Sequence, residues 1–416
     1  MERRGHRRIG EYGASFFQTR RVPVINATLP WNARDHMAKA MVLTKQGSID
    51  HLEMRDYPTP SAGRGDVVAD VRLCTICGTD LDIVHGGQEL PTPILMGHEW
   101  FGTVRELGDG VTTDHVGEEL KEGDKISTSN GTKGDCWYLN NTPGRNNLCP
   151  QQEVIGVYRR SADDPPHFWG AFAEHVYIEG HIPLFKLPSN LDDKELVCLE
   201  PIAVATRSFK RAHGSGTSSS VTGEGVDPSQ TVVVQGLGSI GQCMALVCNV
   251  YGMENIIAIE RHPDRMELGK RMGVTDIVDR GALTTVEERA EEVRRMTGGR
   301  GADIVFECAG TNQAFAEAFK LVRKGGTVVE LGVAGDKGTV EMNPFSDFCE
   351  KEVNVFGVFG YPSLEFRTAI AAMKVAKRRG IPFGDIVSDV QPLECLPEQF
   401  RRHEERAVPG SIAIRP

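Results

Sequence analysis

"TVVVQGLGSIGQCMALVCNVYGMENIIAIE", residues 231–260, is the stretch on which the reading of this chain turns. Thr231 to Gln235 is a continuous apolar run of strand length, rich in β-branched residues. Gly236, Gly238 and Gly241 follow in the pattern G-x-G-x-x-G, Gln242 to Tyr251 carries an apolar helical face, and Ile256 to Ile259 is a second strand ending at Glu260. A lone glycine pattern is weak, because glycine turns are common and can serve packing alone. Strand, turn, helix and acid in this order are the context that a dinucleotide site needs.

The physical reasons are specific. The glycines permit a tight turn and let a pyrophosphate approach the helix N-terminus, while the acid can accept hydrogen bonds from ribose hydroxyls. Gly236, Gly238, Ser239, Ile240, Gly241, Glu260 and Arg261 are therefore the expected cofactor-binding residues. The carboxylate of Glu260 opposes a 2′-phosphate, which favours NAD over NADP, although Arg261 beside it can pair with such a phosphate.

Outward from this unit, "ADIVFECAG", "QAFAEAFKLVRKGG", "TVVELG" and "VNVFGVFG" continue the alternation of strand and helix, which predicts a mostly parallel sheet. Upstream, Leu191 to Ala212 is helix-friendly, and "HGSGTSSSVTGEGVDPSQ" at 213–230 reads as a flexible surface insertion. From Met37 to about Pro188, short apolar stretches such as "DVVADVRLC" and "FGTVREL" between glycines and prolines predict short strands joined by turns.

The 416 residues suit two domains better than one. The net charge of −10 leaves no basic footprint for nucleic acid. Residues 1–36 run the other way, with seven Arg against Glu2, Glu11 and Asp35, and read as a flexible N-terminal extension. No apolar run is long enough to span a bilayer, the start lacks the apolar segment of a secretory signal, and the ten cysteines are scattered, so the expected location is the cytoplasm. The Asn-x-Thr triplets at Asn26, Asn130 and Asn140 are read as chance.

A second stretch, "CTICGTDLDIVHGGQELPTPILMGHE" from Cys74 to Glu99, gathers thiols, histidines and carboxylates. Alone, a Cys there could be a small buried hydrophobe and a His a satisfied core residue. "CGTD" at Cys77 to Asp80, "GHE" at Gly97 to Glu99, "EPIAVA" at Glu200 to Ala205 and the glycine turn, in that order, resemble the zinc-dependent medium-chain dehydrogenase/reductase superfamily from Met37 to nearly the C-terminus.

That resemblance implies an α/β protein with a largely β, GroES-like catalytic domain (37–195 and 359–416) and a doubly wound Rossmann cofactor domain (196–358). It implies one catalytic zinc on Cys77, His98 and one or both of Glu99 and Glu200, with Thr79 as the hydroxyl that relays the alcohol proton; Cys77, His98, Glu99 and Thr79 are the expected catalytic residues. The implied reaction is hydride transfer between NAD and a small alcohol or carbonyl. A carboxylate as the third ligand tips the substrate toward a polyol, sugar or secondary alcohol. Relatives are dimers or tetramers, and "VNVFGVF" is a possible edge for such an assembly.

Several alternatives stay open. Cys198 stands two residues before Glu200, and on a strand the two would share a face, so it could substitute as a ligand. Cys74 and Cys77 could form half of a zinc knuckle with Cys136 and Cys149, but those two lie thirteen apart and make no second C-x-x-C. Where many members of the family carry a four-cysteine structural zinc lobe, Leu139 replaces a cysteine, so no structural zinc is expected. Asp82 takes the place of the usual relay histidine, and Ser411 that of a common lysine. In "GVYRRSADDPPHFWG", Tyr158, Arg159 and Arg160 are candidates to anchor substrate, or solvated loop charges, with Phe168 and Trp169 as an apolar wall. Outside this reading stand a zinc-free enone or quinone reductase, a nucleotide-binding scaffold without turnover, and a metal-binding interaction module.

Overall fold

The computed structural model describes residues 37–157, 160–214, 226–333, 335–406 and 408–416. The expected N-terminal extension, most of the Gly/Ser-rich insertion (215–225), Tyr158 and Arg159 lie outside the described residues.

Six parallel strands form the sheet foretold by residues 231–260. Their order is Asp276–Asp279, Asn255–Glu260, Thr231–Gln235, Ala302–Glu307, Val322–Glu330 and Asn354–Gly357. The first three strands in the chain run outward to one side and the next three to the other, so the strand order reverses beside Thr231–Gln235. That reversal opens a crevice at the carboxyl ends of the strands, where ligands of doubly wound sheets bind. Thr231–Gln235 is buried along its whole length, as a strand covered by helices on both faces must be.

The helix after the glycine turn spans Ser239–Val250, beginning three residues earlier than its apolar pattern suggested. Gly238 is its N-cap, so the last part of the glycine motif is already helical. The positive φ of Gly236 (82°) makes the turn possible, and a Cβ on Gly241 would stand 1.9 Å from the carbonyl oxygen of Gly236.

The other large sheet orders Leu184–Lys186, Lys125–Thr128, Glu99–Leu107, Val67–Thr75, Ser411–Arg415 and Val387–Pro392, with His175–Ile178 also pairing to Val67–Thr75. It is antiparallel apart from its last pair. The chain leaves this sheet after Lys186 and returns to it at Val387, having built the parallel sheet in between. The helices Leu199–Ala212 and Glu365–Arg378 bury their apolar faces in the core shared with the helix Ser239–Val250. The strand Asn354–Gly357 pairs only with Val322–Glu330 and is an edge of the parallel sheet. Among the described residues no helix is long and apolar enough to cross a membrane.

The register of the parallel sheet sets Glu307 directly against Glu330. Glu307 accepts from the backbone N–H groups of Ala309 and Gly310, and Glu330 from those of Gly332 and Val333. Burial first, then the charge of Glu330, push the Glu307 carboxyl up to about 8. A carboxyl whose pKa is raised by folding favours the folded state while protonated, so stability falls as pH rises from the ordinary carboxylate range to about 8. Glu307→Gln keeps an acceptor for the two N–H groups and offers a donor toward Glu330. It is expected to raise the melting temperature by several degrees at about pH 8.5 and by little at about pH 5. Thermal unfolding at the two pH values checks this, and equal shifts at both would refute it.

Candidate active site

The strand pair Val67–Thr75 and Glu99–Leu107 builds the site. Its register places Thr75 opposite Glu99, and Cys77 follows two residues beyond the end of its strand, as N-cap of the helix Gly78–Val84. Gly97, at φ 97°, turns the chain into His98; a Cβ there would meet the backbone nitrogen of Phe172 at 2.8 Å and Cys74 Sγ at 2.9 Å. The result is a cluster in which a thiol of Cys77, a ring nitrogen of His98 and a carboxylate oxygen of Glu99 all lie within 4.8 Å of one another. Glu200, in the first turn of Leu199–Ala212, lies outside that cluster but lines the same cavity.

Three partners hold these groups that the sequence had not singled out. Asp80 accepts from the backbone N–H of Cys77 (2.9 Å) and stands 3.3 Å from Nδ1 of His98. Thr75 donates its hydroxyl to Glu99, and the buried Tyr361 stands beside Glu200. Asp80 sits inside the "CGTD" motif and Thr75 two residues before Cys77, so a local signal existed for both. For Tyr361 there was none, because it arrives from the far side of the parallel sheet.

Electrostatics describe a donor set suited to a cation. Burial first, then the charge of Glu99, push the Cys77 thiol up to about 12. Burial followed by the Glu99 charge likewise pushes Glu200 up to about 7, and burial raises Glu99 itself. Burial disfavours a charged His98, yet the Asp80 carboxylate beside the ring outweighs it and the pKa stands well above its usual value. Two buried carboxyls and a buried thiol disfavour one another's charge, and a divalent ion among them reverses every one of these shifts. Thiolate, imidazole and carboxylate are the ligand types that zinc takes, with Asp80 behind His98 as the outer carboxylate that orients a ligating ring. The residues present fit the metal.

A cavity of about 1030 Å³ runs from this cluster to the glycine turn, bordered by Cys77, His98 and Glu200 at one end and by Gly236, Gly238 and Glu260 at the other. Gly238 caps its helix without a side-chain hydrogen bond, and a Cβ placed on it would touch nothing within 4 Å. The first N–H groups of the helix therefore face open space, as a pyrophosphate site requires. Glu260 accepts from the backbone of Leu237 (2.8 Å), Arg261 (2.6 Å) and His262 (3.1 Å). Arg261, Arg265 and Arg280 line the same end. Ser239 and Ile240 border it too, whereas Gly241 is buried against the turn.

Four alternatives raised on the sequence do not hold in the structure. Leu199–Ala212 is a helix, so residues 198 and 200 point apart; Cys198 faces the core, its thiol donating to the Lys194 carbonyl (3.3 Å), and is no alternative ligand. Arg160 does not border the cavity: it pairs with Glu153 (3.3 Å) and Glu179 (2.7 Å) and lies over the Trp169 ring. Phe168 and Trp169 are buried in the core of the β domain, not in a substrate wall. Cys74 is likewise a buried core residue rather than half of a zinc knuckle, and among the described residues it joins no metal-capable group. The other such group, Glu153, Glu179 and His181, is neutralised by Arg160 and Lys133 and reads as an ion-pair network. Asp82 borders the cavity and pairs with Lys337 (3.3 Å), which reaches it from the parallel-sheet side.

Comparison with known proteins agrees with both halves. Residues 63–189 match the alcohol dehydrogenase GroES-like domain and residues 239–375 the zinc-binding dehydrogenase domain. The chain is 30% identical over 359 residues to 5-exo-hydroxycamphor dehydrogenase of Pseudomonas putida, covering 84% of this chain and 91% of that protein. It is 29% identical over 368 residues to D-xylulose reductase A of Aspergillus oryzae, covering 87% and 92%. Among solved structures, an alcohol dehydrogenase from Thermotoga maritima superposes with a TM-score of 0.80 at 26% identity, covering 91% of this chain and 99% of that one. With a thiol–imidazole–carboxylate cluster and a glycine turn at the two ends of one cleft, and with both domain families matched in order, the chain belongs to the zinc-dependent medium-chain dehydrogenase/reductase superfamily.

Proposed function

We propose that the chain is an NAD-dependent dehydrogenase with one catalytic zinc per chain, interconverting a secondary alcohol, polyol or sugar and its carbonyl. The observation that carries this reading is the convergence of Cys77, His98 and Glu99 in the cavity that ends at the glycine turn. The relatives named for a hydroxycamphor and for D-xylulose support the substrate class. Glu260 supports NAD, since its buried carboxylate would repel a 2′-phosphate.

When bound, zinc would supply Lewis acidity to the substrate hydroxyl and the nicotinamide would accept the hydride. The chain's own residues do the rest. Cys77 and His98, with Glu99, would hold the metal, while Asp80 stands against the ring of His98 and accepts from the backbone of Cys77. The Thr79 hydroxyl, 3.7 Å from Cys77 Sγ and bordering the cleft, takes the proton leaving the alcohol and passes it toward the cofactor end. Glu200, beside Tyr361 and pushed up to about 7 by burial and then by the charge of Glu99, borders the cleft next to the metal ligands, where it can exchange a proton near neutral pH. Cys136 and Cys149 offer two thiols, too few for a tetrahedral structural zinc. Assembly into a dimer or tetramer would use the edge strand Asn354–Gly357.

Elemental analysis of the purified protein, with NAD and NADP turnover on a panel of polyols, aldoses and secondary alcohols, tests the reading. About one zinc per chain and alcohol oxidation that prefers NAD are the expected results. Zinc-free protein that only reduces enones or quinones would move the chain to the zinc-free reductases of the superfamily.

A further inference from the structure

A second cavity, of about 300 Å³, lies outside the reaction cleft and is lined by Arg145, Arg207, Arg211, Asn147 and Glu330. Arg207 and Arg211 stand one turn apart on the helix Leu199–Ala212, a spacing at which like charges repel. Arg145 comes from a separate segment, and its Nε is buried with no partner. Among the described residues none of the three arginines makes an ion pair. Glu365, the carboxylate whose charge reaches Arg207, is already taken by Lys210 at 2.8 Å. Glu330, the carboxylate whose charge raises Glu307, has one oxygen engaged by the backbone of Gly332 and Val333, so a single carboxylate faces three guanidiniums. Burial first, then the charge of Arg145, hold Arg207 and Arg211 below the usual guanidinium range.

In a chain with net charge −10, three guanidiniums converging on one carboxylate, with no ion pair among the described residues, are not a by-product of excess base. Asn147 adds an independent constraint. It is only 4% exposed, its amide Nδ2 donates to the Phe359 carbonyl (2.8 Å), and its Oδ1 is buried without a partner. The cavity thus presents guanidinium donors for oxyanion oxygens together with one buried acceptor that needs a hydroxyl donor.

We propose that this cavity binds a small protonated oxyanion of the hydrogen-phosphate class, either free phosphate or the phosphoryl group of a phosphorylated metabolite. Such an ion offers several acceptor oxygens to Arg145, Arg207 and Arg211 and one O–H to Asn147; free phosphate keeps that O–H through neutral pH, a phosphoryl group only up to its second pKa of about 6. Val333, Val358 and Phe359 line both this cavity and the reaction cleft, so the occupant abuts a wall of the cleft.

Thermal unfolding of the full chain at constant ionic strength and about pH 6, where a phosphoryl group still carries a proton in part, titrated with sodium phosphate, glycerol phosphate, sodium sulfate or sodium chloride, tests the site. The expected result is a saturable stabilisation by phosphate or glycerol phosphate, smaller with sulfate, which lacks the proton, and absent with chloride. The stronger of the first two identifies the source of the phosphoryl group. Arg207→Gln should weaken that response by at least about tenfold, the loss expected for one charge-assisted contact. Without phosphate the same variant should unfold no earlier than the parent, because it removes a like-charge repulsion. Arg261→Gln, at the glycine-turn end, should leave the response intact. The proposal is overturned if chloride acts as phosphate does, if Arg207→Gln responds like the parent, or if Arg261→Gln alone abolishes the response. It is overturned too if Arg207→Gln changes the mass in solution while neither protein responds to phosphate, since the arginines would then serve a second copy of the chain. The readout is binding, so its outcome is separate from that of the proposed reaction.

Discussion

Replacing Cys77 by Ala is expected to cost this protein both its zinc and its turnover. The cluster has three ligand atoms within 4.8 Å, and removing the thiol leaves an imidazole and a carboxylate, too few for a stable tetrahedral site with one open position. Zinc per chain should fall below about a tenth of the parent value, and kcat/KM by more than about 10³-fold, which is about 4 kcal/mol of transition-state stabilisation. Elemental analysis and steady-state kinetics on the same preparation check this. Asp80→Asn keeps all the ligands and disturbs only the group behind His98, so about 10- to 100-fold in metal affinity is the expected loss. If Cys77→Ala retained both metal and rate, Cys77 would not be a ligand and the proposed chemistry would fail.

Two glycines of one motif should fail in different ways. At Gly238 a Cβ meets nothing within 4 Å, and the φ of −68° suits any residue, so Gly238→Ala should fold with a loss of no more than about 1 kcal/mol at the cap. Its methyl instead occupies the space that a pyrophosphate needs at the helix N-terminus, and the dissociation constant for the dinucleotide should rise at least about tenfold, or about 1.4 kcal/mol. At Gly241 a Cβ stands 1.9 Å from the carbonyl oxygen of Gly236, which forces the strand and the helix apart. Gly241→Ala should therefore cost several kcal/mol of stability and lower the melting temperature visibly before cofactor is considered. Thermal unfolding combined with dinucleotide titration separates the two, and a Gly238→Ala variant that binds cofactor like the parent would place the pyrophosphate elsewhere.

What could be read from the sequence was whatever a short run of backbone dictates. The strand, glycine turn, helix and acid of residues 231–260 form one contiguous unit in which each residue's role follows from φ, from the helix N-terminus or from alternation along a strand. Cys77, His98, Glu99 and Glu200 became ligand candidates only through the family that "CGTD", "GHE" and "EPIAVA" resemble in combination. The alternatives that stayed open lay where local composition permits more than one structure. Cys198 and Glu200 share a face only on a strand, and residues 199–212 are a helix. Arg160, Phe168 and Trp169 suited a cleft by composition, but packing turned the two rings into the core and set Arg160 over Trp169 between two carboxylates.

The amino-acid sequence by itself determined the doubly wound sheet and the glycine turn and, through the family it resembles, the ligand candidates Cys77, His98, Glu99 and Glu200. Only the tertiary structure decided that Glu99 rather than Glu200 joins the tight cluster, that Asp80, Thr75 and Tyr361 hold the site, and that Lys337 pairs with Asp82. It alone gathered Arg145, Arg207 and Arg211 around one cavity. The physical reason is range: backbone preference and hydrophobic period act within a turn or a strand, whereas a site's hydrogen bonds and charges are settled by which distant segments the buried core brings together.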